Sequence, residues 1–400
     1  MTIVAINTFN IGSTGKIMRQ IAEEARKVGI EYYTCCPRAR DNYRVIDKNQ
    51  VFIGNRLLRN VHGLLSRITG LEGWFSFFST LVFIKKISLL NPDIIHIHNI
   101  HGSYINYSLL FKYIKKKKIK TVWTLHDCWA FTGRCPHFTA VKCEKWKLKC
   151  VKCPYPNNEY PAALIDTSSI CFFNKVKVFS GVDDLTIVTP SEWLASLVKQ
   201  SFLGVYPVET INNGIDLKVF TPYEDNWRKA HNILEDQVIV LGVAFNWDYR
   251  KGLDVFVELS NRLDNRYKII LVGTNEETEQ VIPEKIMTIR RTANQSELAE
   301  IYSAADVFVN PTREDNYPTV NMEAIACGTP VITFDTGGSP EIIDEGCGCT
   351  IPVNDIDLLE YEITKIKRCE KTINRNACIE SAKRFDLKLN INKYIDIYQS

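Results

Sequence analysis

The sequence lacks any run of about 18 uncharged apolar residues, which is the length that a membrane-spanning helix needs. Its longest apolar stretch, residues 73–84, ends at Lys85 and Lys86 and is more typical of a buried core helix than of an interfacial helix. The N-terminus also lacks the basic start and long apolar core of a secretion signal and instead indicates a first β-strand. We therefore expect a cytoplasmic protein.

The composition excludes several classes of protein. Apolar residues make up 45% and charged residues 24% of the 400 positions, a balance that excludes a disordered chain, a collagen or a coiled coil. At roughly 150 residues per domain, the length predicts two or three domains. Thirteen cysteines are too few for a disulfide scaffold of this length, so in a reducing compartment they are free thiols or metal ligands.

The charge is divided unevenly along the chain. Residues 1–205 carry 28 Lys and Arg against 14 Asp and Glu, whereas residues 206–400 carry 21 against 32. Opposite signs in the two halves favour two domains with different partners. The basic half suits an anionic membrane or a nucleic acid, and solvated lysines on helix faces explain it equally well.

Short β-branched segments alternate with helical segments along the whole sequence. The predicted strands are residues 2–6, 93–98, 121–126, 185–190, 238–245, 267–273, 306–311 and 330–334. The predicted helices are residues 14–28, 104–118, 191–201, 251–262, 296–304, 318–327 and 355–370. This alternation predicts an α/β fold with parallel sheets, divided near residues 204–222. In such sheets, ligands bind beyond the carboxyl ends of the strands.

Two motifs follow predicted strands in the first half. Gly12 and Gly15 precede a helix, where backbone N–H groups suit an anion and an ordinary tight turn fits about as well. Their spacing is that of neither a P-loop nor a dinucleotide motif. His96, His98 and His101 form the second group, for which hydrogen bonding in a binding site is favoured over metal binding.

His126 and Asp127 follow the next predicted strand. A histidine beside a carboxylate at this position predicts a polar substrate contact or a proton-handling pair. Capping of the following turn is the structural alternative.

Five cysteines are concentrated between residues 128 and 153. Cys150 and Cys153 have the spacing of half a tetrahedral zinc site, which Cys135 and Cys143 would complete. Neighbouring lysines are expected to favour the metal-binding thiolate form. A structural zinc and unligated thiols are equally consistent with this pattern, and four cysteines would leave no open position for a catalytic zinc.

Two motifs stand out in the second half. Arg250, Lys251 and Gly252 open a helix after a strand, where a lysine suits a phosphate group and a surface lysine is the alternative. A longer segment places carboxylates before and inside a short helix and then forms a second glycine loop. Its candidate residues are Glu314, Asp315, Asn316, Glu323, Gly337 and Gly338. Carboxylates accept paired hydrogen bonds from sugar hydroxyls, and glycine-loop amides can cradle a diphosphate.

These motifs resemble the retaining glycosyltransferases of family four, which have the GT-B fold of two facing Rossmann-like domains with a cleft between them. The resemblance spans nearly the whole chain. It is carried by the Gly12/Gly15 loop, His126–Asp127, INNGIDLKVF at 211–220, Arg250–Lys251–Gly252, and the segment from Asp315 through Glu323 to EAIACGTPVI. DIIHIHNIHG, HDCWAFTGRCPHF and the spaced cysteines are similar to the subgroup that builds capsule and colanic-acid-type polysaccharides.

The resemblance implies a domain organisation. The acceptor-side domain would cover residues 1–205, with a Cys-rich loop at 128–156, and the nucleotide-sugar domain would cover residues 206–380. A C-terminal helix at 381–400 would cross back to the first domain.

The resemblance also implies a role for each motif. Lys251 would contact the donor diphosphate, Glu323 the ribose hydroxyls and Asp315 the hexose hydroxyls. His126 would lie near the donor sugar and the acceptor, and the Gly15 loop would close over the phosphates. Further expected donor-binding residues are Gly12, Arg250, Glu314, Asn316, Gly337 and Gly338, and further acceptor-side residues are His98, His101 and Asp127.

Two departures from the family pattern concern the donor. Asp315 stands where the family has Glu, and Asn246 stands where it has Arg. The implied reaction retains the anomeric configuration by same-face attack, without a protein nucleophile. It requires no cofactor beyond the nucleotide-diphospho-sugar, and zinc would be structural.

The expected acceptor is a lipid-linked saccharide or an oligosaccharide. Lys112, Lys115–Lys118 and Lys120, with the aromatic stretch at 74–84, would attach the protein to the anionic inner face of the cytoplasmic membrane. An epimerase or a phosphorylase on the same fold is an alternative. A basic zinc-knuckle protein that binds nucleic acid is a weaker one, because the ordered motifs of the acidic half argue against it, and we expect no nucleic-acid partner.

Overall fold

The computed structural model describes residues 1–38, 42, 45–154, 162–224, 226–367 and 375–400. The chain divides into two compact units, Met1–Ile211 with Ile391–Ser400, and Asn212–Asn390. Each unit contains its own parallel β-sheet.

The first unit is built on a seven-stranded sheet. Its strands, β1 to β7 in chain order, are Thr2–Ile6, Glu31–Pro37, Gln50–Ile53, Ile94–Ile97, Lys120–Thr124, Leu185–Thr189 and Val208–Thr210. Its helices, α1 to α6, are Gly12–Lys27, Arg56–Thr69, Phe77–Leu90, Tyr107–Lys117, Ser168–Phe179 and Glu192–Gln200. Aromatic rings fill one side of the sheet, where Phe179 lies 4.8 Å from Trp123 and 4.6 Å from Phe111 between ring centroids.

The second unit is built on a six-stranded sheet. Its strands, β8 to β13, are Val238–Val243, Tyr267–Val272, Met287–Ile289, Val307–Asn310, Val331–Phe334 and Gly348–Ile351. Its helices, α7 to α13, are Asn226–Ala230, Leu253–Arg262, Glu276–Glu279, Gln295–Ala304, Thr319–Ala326, Ile356–Lys367 and Arg375–Ala382. A last helix, α14 (Leu387–Gln399), begins in this unit and ends in the first.

Most strands are buried on both faces, which is why the sequence shows continuous apolar runs, whereas β7 and β10 are only partly buried. In β8, Ile239 and Leu241 pack into one apolar cluster, whereas Val238 and Val240 pack into another on the opposite face. Alternate residues of a strand point to opposite faces, so a strand between two helical layers needs apolar residues at every position.

Each sheet has one switch point, where the strand order reverses. The orders are β3-β2-β1-β4-β5-β6-β7 and β10-β9-β8-β11-β12-β13. The connections after β1 and β4, and after β8 and β11, therefore leave in opposite directions and open a crevice at the carboxyl ends. The Gly12 and His98 motifs follow β1 and β4, and the Lys251 and Asp315 motifs follow β8 and β11.

The predicted α/β class with parallel sheets is confirmed, and the eight predicted strands are present with shifted ends. Five further strands, β2, β3, β7, β10 and β13, were not predicted, because they are short or lack a continuous β-branched run. The predicted helix at 355–370 appears as α12, and its residues 368–370 lie outside the described part of the chain, as do residues 155 and 156 of the Cys-rich loop.

The prediction of a buried core helix at 73–84 is wrong in part. The helix there is α3, and the rest of the unit covers only the face that carries Ser79, Thr80, Phe83 and Ile87. Phe78 is 76% exposed on the other face. Within the described residues, none of the helices is long and apolar enough to span a membrane.

Candidate active site

Lys251 and Asp315 form an ion pair at the switch point of the second sheet. The Lys251 Nζ lies 2.6 Å from the Asp315 Oδ2, and each side chain is 22% exposed. The two loops are also joined through their backbones, because the Arg313 N–H donates to the Arg250 carbonyl at 2.8 Å. The structure therefore brings together two residues that are 64 positions apart in the sequence.

Gly252 allows the loop after β8 to approach the end of β11. It has φ +77°, and an added Cβ would lie 2.5 Å from the Pro311 carbonyl oxygen. The Lys251 N–H donates to the Asp248 Oδ1 at 2.8 Å, which fixes the backbone just before α8. The Arg250 side chain is exposed.

The second glycine loop packs under the Asp315 backbone. The Gly338 N–H donates to the Asn316 carbonyl at 2.8 Å, and Gly337 has φ +57° with its Cα against the Asp315 carbonyl oxygen. Asn316 and Glu314 are both buried. These predicted donor-binding residues thus belong to one cluster with Asp315.

A pocket of about 960 Å³ opens beyond the carboxyl ends of β8 and β9. Its wall includes Phe245, Asn246, Arg290 and Glu323. The Glu323 Oε2 accepts a hydrogen bond from the Tyr302 hydroxyl at 3.2 Å, which orients the carboxylate. The volume lies at the upper end of the range of about 300 to 1,000 Å³ that is usual for small-molecule sites.

Charge within this pocket is partly neutralised. Arg290 pairs with Glu276 at 3.0 Å and with Glu279 at 2.8 Å. Asn246 accepts a hydrogen bond from the Asn275 amide at 3.2 Å. The pocket is therefore lined by charges of both signs, namely the carboxylates of Glu276, Glu277 and Glu323 and the guanidinium groups of Arg290 and Arg291.

The glycine loop of the first unit is a tightly folded turn at the start of α1. Gly12 has φ +72°, and a Cβ on Gly15 would lie 2.5 Å from the Asn10 carbonyl carbon. The close packing of Gly15 on Asn10 explains the glycine by itself, so the tight-turn alternative accounts for this motif as well as anion binding does.

His98 and His126 form a neutral pair beyond β4 and β5. The His98 Nδ1 lies 3.0 Å from the His126 Nε2, and the rings stack with centroids 5.3 Å apart. Burial lowers the pKa of His126 to about 4 and the pKa of His98 well below its ordinary value. Both imidazoles are thus uncharged near neutral pH and suit hydrogen bonding with a polar ligand.

His101 and Asp127 form a largely buried ion pair beside them. The His101 Nε2 lies 3.0 Å from the Asp127 Oδ2, and each side chain is 14% exposed. Burial disfavours the imidazolium, but the charge and hydrogen bond of Asp127, together with the charge of Glu72, outweigh burial and raise the pKa of His101. Burial likewise opposes ionisation of Asp127, yet the charge and hydrogen bond of His101 lower the pKa of this carboxyl to about 2.

Two charged residues near this pair were missed by the sequence analysis. The Glu72 carboxylate accepts the Gly102 N–H at 2.8 Å and the Trp129 indole N–H at 3.1 Å. The Lys175 Nζ donates to the Trp129 carbonyl at 2.6 Å, and burial lowers the pKa of Lys175 to about 8. The one available signal was that Glu72 is the sole acidic residue between positions 48 and 92 of the sequence.

The four cysteines predicted as a structural zinc site line one cavity of about 10 Å³ with Phe138 and Trp146; they are Cys135, Cys143, Cys150 and Cys153. Burial raises the pKa of Cys135 to about 12 and of Cys150 to about 11, so the expectation that lysines favour their thiolates is wrong. Among the residues described, no three His, Cys, Asp or Glu side chains are arranged to hold a metal ion. Zinc binding stays a prediction from the cysteine spacing.

Two family models match this chain. Residues 14–155 match the model described as Glycosyltransferase Family 4, and residues 235–367 match the model described as Glycosyl transferases group 1. Together these matches cover more than half of the sequence and include Gly15, His98, Lys251 and Asp315.

Relatives extend the likeness along the chain. It is 26% identical over 272 residues to the colanic acid biosynthesis glycosyl transferase WcaC of Escherichia coli (strain K12), covering 66% of this chain and 65% of WcaC. The chain thus spans slightly less than two thirds of WcaC. It is 20% identical to a 41.2 kDa protein in the cps region of Klebsiella pneumoniae, over 100% of both.

Solved structures share the fold. Anabaena Alr3699/HepE, crystallised in complex with UDP, has a TM-score of 0.71 at 13% identity and covers 100% of both chains. Sucrose-phosphate synthase from Thermosynechococcus elongatus has a TM-score of 0.70 at 18% identity, over 100% of this chain and 98% of that one. The predicted GT-B type of α/β fold is confirmed.

Gly337→Ala is expected to destabilise the second unit by more than the roughly 1 to 2 kcal/mol that a left-handed backbone costs an L-residue. The added Cβ would overlap the Asp315 carbonyl oxygen in addition to straining φ. Urea unfolding measures the loss. Gly181→Ala is the matched control, because Gly181 also has a positive φ, +71°, but open space around it. Equal losses in the two variants would contradict the close packing of Gly337 on Asp315.

Asp127→Asn is expected to lower the unfolding free energy by roughly 1 to 3 kcal/mol at about pH 5 to 6. Asn keeps an acceptor for the Trp129 N–H, which Asp127 Oδ1 accepts at 2.8 Å, but it removes the charge opposite His101. Because the pKa of His101 is raised in the folded state, the difference should be full below 6.5 and fade as pH rises through that raised value. It should also fade between pH 3.8 and about 2, as Asp127 protonates.

Urea unfolding of both proteins across this pH range, followed by tryptophan fluorescence, provides the measurement. Asp183→Asn serves as the control, because its contact with Lys118 at 3.8 Å is exposed and is expected to contribute little at any pH. A difference between wild type and Asp127→Asn that does not change with pH would rule out the buried ion pair.

Proposed function

Because this chain belongs to the family 4 glycosyltransferases, we propose that it transfers a hexose from a nucleotide-diphospho-sugar to a saccharide acceptor with retention of anomeric configuration. The proposed pathway is surface polysaccharide biosynthesis, which is supported by the similarity to the colanic acid glycosyl transferase WcaC. The proposed acceptor is lipid-linked and is met at the anionic inner face of the cytoplasmic membrane.

The observation that carries the donor site is the Lys251–Asp315 pair, which lies over the Gly337–Gly338 loop at the switch point of the second sheet. A diphosphate would replace Asp315 as the partner of the Lys251 ammonium. The Asp315 Oδ2 would then accept hydrogen bonds from the hexose hydroxyls in place of the Lys251 ammonium. The exchange keeps Lys251 paired with an anion before and after donor binding, so it avoids an unpaired, partly buried charge.

The nucleoside would occupy the pocket of about 960 Å³ next to this pair. Glu323 suits the ribose, because a carboxylate can accept hydrogen bonds from two neighbouring hydroxyls. Its orientation by the Tyr302 hydroxyl supports this role. Uridine nucleotides are the first donors to test, since the structural relative HepE binds UDP and UDP-glucose.

The reaction follows from the charge that develops. The bond between the sugar C1 and the diphosphate oxygen breaks, and a bond from C1 to the acceptor oxygen forms on the same face of the ring. The acceptor proton passes to an oxygen of the departing diphosphate. Lys251 and the Gly337 backbone N–H would stabilise the negative charge that grows on this group, so no further cofactor is proposed.

The first unit would contribute the acceptor side. The neutral His98–His126 pair can donate to or accept from sugar hydroxyls without bringing a charge close to the reacting carbon. His101 and Asp127 would hold this region in place through their buried ion pair. Glu72 and Lys175, which bind the loop around Trp129, would support the same wall.

Lys251→Ala is expected to weaken binding of the matching nucleoside diphosphate about tenfold or more, because it removes a charge-assisted contact worth roughly 1.5 to 3 kcal/mol. Its effect on the free nucleoside should be small, since the nucleoside carries no phosphate. Glu323→Gln should weaken both ligands, because the ribose is common to them. Isothermal titration with uridine, UDP, guanosine and GDP measures all four affinities.

Lys218→Ala is the control for loss of a lysine, since Lys218 is exposed elsewhere in the same unit. It should leave every affinity unchanged. If Lys251→Ala weakened the nucleoside and its diphosphate equally, the diphosphate role of Lys251 would be wrong. If no nucleoside diphosphate bound to the wild type, the donor proposal would fail as a whole.

Retention predicts that an α-linked donor gives an α-linked product. Proton NMR of the reaction with the donor that binds, and with extracted saccharide acceptors, reads the anomeric coupling directly. A transferase should release nucleoside diphosphate only when the acceptor is present. An epimerase would not release it at all. An inverted linkage would contradict same-face attack, and acceptor-independent conversion of the donor sugar would favour the epimerase alternative.

A further inference from the structure

Helix α2 presents its most apolar face to solvent. Leu57, Val61, Leu64 and Ile68 follow one another at spacings of four, three and four residues, so they form one stripe along the helix. Leu57 is 71% and Leu64 is 60% exposed. The residues that α2 buries are instead His62 and Ser66, which are polar. Packing within this unit therefore does not explain the leucines.

The exposed stripe is continued by neighbouring segments. The His62 Nδ1 lies 2.7 Å from the Ser76 Oγ, which joins α2 to the start of α3 and its exposed Phe77 and Phe78. At the other end of α2, the Leu164 N–H donates to the Arg67 carbonyl at 2.8 Å. Leu164 and the following Ile165 are exposed as well.

We call this surface the apolar face; it comprises Leu57, Leu58, Val61, Leu64, Ile68, Phe77, Phe78, Leu81, Val82, Leu164 and Ile165. A surface of this extent on a soluble protein marks a site for a protein or a membrane.

The charges that α2 and α3 place beside the apolar face are basic. Arg56, Arg59 and Arg67 lie on α2, and Lys85 and Lys86 are exposed on α3. The sequence from 48 to 92 contains a single acidic residue, Glu72, and this residue is buried. The rim that α2 and α3 give the apolar face is thus positive, and the exposed Asp166 follows Ile165 at the other edge of the face.

An apolar face with a basic rim distinguishes between two possible partners, a second copy of the chain and an anionic membrane. A second copy of the chain would bring the same basic groups against one another, because a two-fold interface pairs a surface with itself. An anionic lipid surface accepts the leucine and phenylalanine side chains among its acyl chains and pairs the basic rim with its headgroups. Charge complementarity therefore favours a membrane over a dimer.

We propose that the apolar face of α2 and α3 is a membrane-insertion surface, which docks the protein on bilayers rich in anionic phospholipid. The membrane surface deepens the proposed function, because it is where a lipid-linked acceptor would reach the protein. Only this link to the acceptor rests on the proposed function. Of the lysines first expected to dock, Lys120 is less available, since it donates to the Ile397 carbonyl at 2.8 Å.

The apolar face is connected directly to the acceptor side of the candidate site. The turn between α2 and α3 contains Glu72, which binds both Gly102 and the Trp129 indole. The Trp129 ring lies 5.5 Å from the His101 ring between centroids. An acceptor whose lipid anchor stays in the bilayer would therefore have its saccharide close to His101 and Asp127.

Co-sedimentation of the full chain with vesicles tests the proposal. Wild type should bind vesicles of phosphatidylcholine mixed with phosphatidylglycerol and should not bind phosphatidylcholine alone. Raising salt from about 0.1 M to about 1 M should weaken binding, because the Debye length falls from about 10 Å to about 3 Å. Leu64→Glu combined with Phe78→Glu should reduce the partition coefficient about tenfold or more, because it removes two inserting side chains and adds negative charge.

Arg56→Ser combined with Arg67→Ser should reduce binding about fivefold for each charge removed, since each is worth about 1 kcal/mol near an anionic surface and about 1.4 kcal/mol corresponds to tenfold. The matched control is Val205→Glu combined with Leu234→Glu, which changes two exposed apolar residues outside the apolar face. This control should bind vesicles as wild type does. All changed side chains are solvent-facing, so a thermal melt should show every variant folded.

Two results would overturn the proposal: no binding of wild type to the anionic vesicles, or equal binding by the Leu64→Glu, Phe78→Glu variant. Light scattering coupled to gel filtration measures the mass of the protein in solution and so tests whether a second copy binds the apolar face. A wild-type dimer that this variant dissociates, without vesicle binding, would assign the face to a second copy. Nucleoside diphosphate titration is read separately, so lipid binding without nucleotide binding would reject the proposed donor site and leave the membrane surface standing.

Discussion

The ion pair between Lys251 and Asp315 is the interaction on which the candidate donor site depends. It forms because β8 and β11 are neighbours at a switch point, so their connections diverge and leave two loop ends facing each other. Gly252 lets one loop approach Pro311, and Gly337 lets the next loop pass under Asp315. Backbone geometry thus sets the position of the Lys251 ammonium group, which is paired with Asp315 and, in the proposed reaction, would exchange this partner for a diphosphate.

The sheet of the first unit also has a switch point, but different side chains lie there. Its switch point lies between β1 and β4, and the residues that collect there are uncharged histidines and one buried ion pair. A site of this kind orients hydroxyl groups and does not attract phosphate strongly. In the proposed reaction, the two units would therefore divide the chemistry by charge: the second would offer a cation for a leaving diphosphate, and the first would offer hydrogen bonds for a saccharide.

The sequence predicted the architecture well, because parallel strands buried on both faces leave continuous apolar runs such as VIVLGV in β8. It also indicated residues that follow strands, which is where Lys251 and Asp315 lie. It could not predict partners that are distant in the chain. His96, for example, is held by the Tyr398 hydroxyl at 2.7 Å, 302 residues later, which removes it from any metal or substrate role.

The sequence patterns also did not predict how deeply individual side chains are buried. The apolar stretch in α3 suggested a core helix, yet Phe78 faces solvent, because only one side of that helix meets the unit. Lysines near Cys135 and Cys150 suggested thiolates, yet burial dominates and keeps the thiols protonated. The sequence did not single out Glu72, although its two hydrogen bonds join the turn between α2 and α3 to Gly102 and Trp129.

A crystal structure of the protein with the nucleoside diphosphate that binds most tightly would test the central claim most directly. The account predicts that Lys251 leaves Asp315 and contacts a diphosphate oxygen, with the Gly337 N–H beside it and Glu323 at the ribose hydroxyls. A nucleotide bound elsewhere, or one bound while Lys251 still pairs with Asp315 and contacts no phosphate, would contradict it.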